Sequence, residues 1–84
     1  MYNYRSGNYE IGAYNETAIS ILENALKFNN LEYTTYNSYI VDLTTREKET
    51  GINFVIKPRD RKEKKLIENI SKAMNDLFID GIAL

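Results

Sequence analysis

The chain has 84 residues, 43% hydrophobic and 27% charged, with a formal net charge of −1. Those values fit an ordinary globular domain and exclude a broadly disordered chain or a generic basic coat for nucleic acid. Neither Cys nor His occurs, which removes disulfides, thiolate or imidazole metal sites and the commonest general base.

The first fourteen residues are rich in Tyr. Tyr2-Asn3-Tyr4-Arg5 and Tyr9-Glu10-Ile11-Gly12-Ala13-Tyr14 flank Ser6-Gly7-Asn8, where Gly accepts a positive φ and Asn tolerates it. A short hairpin or an edge strand after a tail is expected. Asn15 is a favourable helix N-cap, and Glu16 sits near the positive end of the helix dipole. Ala18, Ile19, Leu22, Ala25 and Leu26 then recur at three- and four-residue spacing, predicting a helix from Glu16 to Asn29. Asn29-Asn30 supplies the stop.

From Leu31 the period becomes 2. Leu31, Tyr33 and Thr35 alternate with Glu32, Thr34 and Tyr36, most of them good strand formers. Two readings compete for residues 31–45. One turns the chain at Asn37-Ser38 into a second strand, Tyr39 to Thr44, and is slightly preferred. The other is a single long, bent strand. A polar loop, Arg46 to Gly51, follows, and then a strand from Ile52 to Lys57. Pro58 ends it, since proline donates no ladder hydrogen bond. Asp60 and Glu63 match a capping box, and Leu66, Ile67, Ile70, Ala73, Met74, Leu77 and Phe78 form a wide apolar stripe. This second helix is predicted from Arg61 to Phe78. The apolar segment Ile79–Leu84 is expected to pack on the core or to pair as a final strand.

The fold class that follows is α+β: a small two-layer sandwich, with an antiparallel sheet of three or four strands and two amphipathic helices in the order (β)-α-β-β-(β)-α. One domain spans 1–84, with 1–8 and 79–84 as candidate tails. No apolar run approaches the ~20 residues that span a bilayer, and the start of the chain lacks a signal-peptide pattern. Cytoplasmic residence without membrane contact is expected.

Between Lys57 and Lys65 lie six of the eleven basic residues: Lys57, Arg59, Arg61, Lys62, Lys64 and Lys65. Cations in a first helical turn oppose the helix dipole. An anion bound there would meet both side-chain charge and backbone N–H groups. Solvated charge softened by Asp60, Glu63 and Glu68 is the plainer explanation. A helix, a three-stranded sheet and a second helix with a basic start resemble the double-stranded RNA-binding domain. The resemblance implies phosphate contact by Arg61, Lys62, Lys64 and Lys65. It covers topology and this cluster only, without that family's Gly-Pro-containing loop or its Ala-rich second helix.

The seven tyrosines suit half-buried strands, and equally a protein-binding surface. Tyr36 is opposite in phase to Tyr33, so one of the two leaves the core face, and Tyr36 and Tyr39 are the candidate interface aromatics. Glu10, Glu16, Glu23, Glu32 and Asp42 against Arg5 and Lys27 leave the first 45 residues at net −3. No phosphate loop, nucleophile elbow or calcium loop is present.

The expectation is therefore a non-enzymatic protein-binding module without cofactor or metal. It would act as an inhibitor or modulator of a larger host protein, such as a defence or nucleic-acid enzyme. The Asn-, Ile-, Tyr- and Lys-rich usage is that of AT-rich coding sequence and suits a phage or mobile-element origin. The alternatives are a nucleic-acid-binding or transcription-regulating module using the basic helix start, and a self-assembling structural protein or homodimer.

Overall fold

Local capping chemistry sets both helices. The computed structural model describes residues 2–41 and 43–78. In chain order they form β1 (Tyr2–Asn3), β2 (Asn8–Ala13), α1 (Glu16–Phe28), β3 (Glu32–Val41), β4 (Lys48–Lys57) and α2 (Arg61–Phe78). The Asn15 side chain accepts a hydrogen bond from the Ala18 N–H at 2.7 Å and starts α1. At its other end the N–H groups of Asn30 and Leu31 donate to the carbonyls of Lys27 and Leu26. Asn30 takes the left-handed conformation, φ 53°, which completes a Schellman stop with Asn in place of Gly. For α2, Asp60 accepts from the Glu63 N–H at 2.8 Å. Glu63 reaches back to the Arg59 N–H at 3.0 Å, one residue earlier than a standard capping box.

The sheet is antiparallel and ordered β1-β2-β4-β3. Both β2 and β3 run antiparallel to the central β4, so they are parallel to each other. The connection through α1 is a split β-α-β crossover. Tyr9, Ile11 and Ala13 of β2 and Phe54 and Ile56 of β4 share one face. They pack with Ala18, Leu22 and Leu26 of α1 and with Ile67 and Met74 of α2 in a single core. Phe54, Leu22, Leu26, Ile56 and Ile67 are the largest fully enclosed side chains, each contributing about 1.5–3 kcal/mol by burial. Among the described residues, the opposite face of the sheet carries no helix. This is the small α+β sandwich that the periodicity predicts.

Three sequence expectations need correction. No turn forms at Asn37-Ser38. Residues 32–41 make one unbroken strand, paired in register from Glu32–Lys57 to Val41–Lys48. The Arg46–Gly51 segment is only partly loop, because Lys48–Gly51 already belongs to β4. A ten-residue β4 offers a ladder partner to every residue of β3. The reversal therefore moves to residues 43–47, where Arg46 adopts φ 61°. With two strands rather than three between the helices, the chain also departs from the topology of the double-stranded RNA-binding domain. Ile79–Leu84, read as a docked or paired tail, lies outside the described residues.

Candidate interaction surface

Two ends of the molecule carry the sequence-level candidates. At the start of α2, two of the six basic residues are engaged by neighbouring groups. The Arg59 guanidinium bonds the Glu63 carboxylate through Nε at 3.0 Å and Nη2 at 2.7 Å. It also donates to the Asn30 carbonyl at 2.5 Å. Arg59 thus ties the stop of α1 to the start of α2. This contact holds the Glu63 carboxyl below the usual carboxylate range, and Glu63 in turn raises Arg59. The Lys64 ammonium stands over the Tyr2 ring at 4.6 Å from its centroid, a cation–π contact that helps hold β1. Lys57, Arg61, Lys62 and Lys65 remain exposed. Two carboxylates already stand at the helix N-terminus these cations surround: Asp60 accepts from the Glu63 N–H and Glu63 from the Arg59 N–H, so a phosphate there would approach beside like charge.

At the other end, β3 and β4 outrun the sheet. β2 pairs with β4 only over Ile52–Ile56, so Ser38–Val41 and Lys48–Gly51 project as a two-stranded arm. Its apolar side chains find little cover: Tyr39 is 58% exposed, Ile40 45%, Val41 47%, and Leu43 in the turn 92%. Lys48 lies over the Tyr39 ring at 4.2 Å, leaving the ring edge open. The arm and the first turn of α1 enclose an open groove of about 670 Å³, lined by Ile19, Tyr39 and Ile52 among others. At the root of the arm, a Cβ on Gly51 would strike the Ala13 carbonyl oxygen and stand 2.8 Å from the Tyr14 Cα. Only glycine admits this close passage of backbone over backbone.

The helix-free face carries the other candidate aromatic. Tyr36 donates from its hydroxyl to Glu10 at 2.6 Å and accepts from the Asn53 amide at 2.6 Å. The bond to Glu10 pushes the Tyr36 hydroxyl above the ordinary tyrosine value. Its ring therefore leans inward across β4 rather than outward past β3. Tyr9, by contrast, is a core residue whose hydroxyl reaches Glu68 at 2.7 Å. Burial, then that carboxylate, raises it well above the ordinary range.

Sequence reasoning singled out Tyr36 and Tyr39 as candidates but did not anticipate the arm that presents Tyr39, nor Ile40, Val41 and Leu43 beside it. The available signal was the weak turn chemistry of Asn37-Ser38, which lacks a Gly to turn the chain. Among the described residues no group of Asp and Glu is arranged to hold a metal, and no helix is long and apolar enough to cross a membrane. No protein-family model matches the chain, and no curated protein or solved structure matches it.

Proposed function

We propose that the chain is a non-enzymatic protein-binding module whose docking element is the β3–β4 arm together with the outer edge of β3. One observation carries this reading. Among the described residues β3 is a ten-residue edge strand paired on one side only; it ends in the exposed apolar residues Tyr39, Ile40 and Val41, with Leu43 exposed in the turn beyond. Such an edge presents a row of free backbone donors and acceptors, which recognition by strand addition uses for affinity. Apolar side chains at the tip supply the anchors. The partner class is protein. It includes a larger protein whose surface the module occupies and modulates, and also another copy of this chain.

Photocrosslinking separates the two ends. A benzophenone side chain in place of Tyr39 is expected to trap one protein species in cells producing the chain. The same group in place of Arg61 is expected to trap none. Adducts formed only from position 61, or nucleic acid recovered in them, would reverse the assignment.

Phosphate binding at the α2 start is the second reading, supported by the four exposed cations Lys57, Arg61, Lys62 and Lys65. It predicts salt-sensitive binding to nucleic acid that collapses in the Arg61→Ala, Lys62→Ala double variant. Binding insensitive to both changes removes it.

A further inference from the structure

Edge strands in monomeric proteins are usually short, twisted away by bulges, or guarded by Lys and Pro. β3 uses none of these devices. It runs Glu-Tyr-Thr-Thr-Tyr-Asn-Ser-Tyr-Ile-Val without Lys, Arg, Pro or Gly. Its pairing with β4 continues from Glu32 to Val41 without a skipped residue. At about 3.3 Å per residue it offers an edge about 33 Å long. The opposite edge of the sheet is different: β1 covers Asn8 and Tyr9 and leaves only Glu10 to Ala13 beyond it.

From this we infer that the strand completing the β3 edge is β3 of a second copy, joined antiparallel about a two-fold axis through Tyr36. The inference rests on reading β3 as the docking edge. Its support is the strand's charge pattern, with Glu32 as the single charge, and the placement of its aromatic residues. A two-fold axis normal to the sheet keeps helix face on helix face, so each residue pairs only with one of its own face.

With Tyr36 on the axis, Thr34 meets Ser38, Thr35 meets Asn37, Tyr33 meets Tyr39 and Glu32 meets Ile40 of the second copy. The strand's single charge, Glu32, then lies at the far end from its twin. No like charges face each other. Tyr33 is half-buried against Phe54, ring centroids 5.8 Å apart, so Tyr39 of the second copy extends an existing aromatic cluster on the helix face. Tyr36 leans inward to Glu10 and Asn53 and leaves the axis clear. The product is one eight-stranded sheet with four helices on one face and an open face on the other.

Sedimentation velocity on the full chain, from micromolar to millimolar, tests this. Wild type should pass from monomer to dimer and stop there. Thr34→Lys with Ser38→Lys sets like charges opposite one another twice across the axis and should weaken the dimer by roughly tenfold or more. Thr34→Lys with Ser38→Glu sets opposite charges at the same two places and should restore it. Both sites lie on the helix-free face, and far-UV circular dichroism verifies that the variants fold.

A wild-type monomer at all concentrations overturns the inference, as does a dimer indifferent to both double variants. If that monomer still crosslinks another protein through position 39, the protein-binding reading stands and only the second copy is removed.

Discussion

The two halves of the β3–β4 ladder share one register and differ in what backs them. From Tyr33 to Asn37, the ladder continues into β2 and is packed under the helices, where Phe54 and Ile56 are 1% and 0% exposed. From Ser38 to Val41 it has no third strand among the described residues. Tyr39 and Ile40 there stay 58% and 45% exposed. Pairing between β3 and β4 is the same in the two halves, so it does not explain their difference. Apolar burial does: the first half holds the fold together, and the second leaves its apolar side chains exposed.

The widest separation is expected between Phe54→Ala and Ile40→Ser. Emptying the Phe54 site should cost about 3–5 kcal/mol, a large share of the stability of so small a domain. Ile40→Ser should stay within about 0.5 kcal/mol. Urea denaturation reads both, and equal losses would erase the distinction between the halves. Gly51→Val tests the junction. Its side chain would meet the Ala13 carbonyl and the Tyr14 backbone, so a loss of about 1–3 kcal/mol is expected. Unchanged thermal unfolding would place that crossing elsewhere. A smaller effect, about 1 kcal/mol, is expected for Asn15→Ala, which removes the α1 cap but touches neither half of the ladder.

Titration sharpens the same contrast at the base. Tyr9 is raised above its ordinary value of 10.0, so the folded state keeps it neutral where the unfolded chain ionises it. Its contribution is complete below pH 10 and declines as pH rises beyond that. Tyr9→Phe should flatten this alkaline loss in a pH series of melting temperatures. Glu63 has the opposite sign. Arg59 lowers its carboxyl, so its contribution is present above the ordinary value of 4.5 and fades as pH falls below it. Glu63→Gln should remove that acid-side component, which is small because Arg59 is exposed.

Much of the fold was legible because local rules and tertiary packing agree. Asn15, Asn30, Pro58 and Asp60 each mark a helix or strand boundary by a conformational preference that the fold also requires. Asn37-Ser38 misled for the converse reason: turn propensity there is weak, and a complementary ten-residue β4 overrides it. The candidate site was less legible. A run of cations reveals charge but not its partners, so Arg59 looks available until its bonds to Glu63 and Asn30 are seen. The arm depends on β2 being four residues shorter than β3 and β4. That mismatch becomes visible only when the strands are aligned.

Hydrogen exchange along β3 at micromolar and millimolar protein tests the central claim most directly. The account predicts that the outward-facing amides of residues 32–40 slow as concentration rises. Those of β4, flanked by strands from Ile52 to Ile56, should be unchanged there. Identical β3 exchange at both concentrations would contradict the completion of this edge by a second copy.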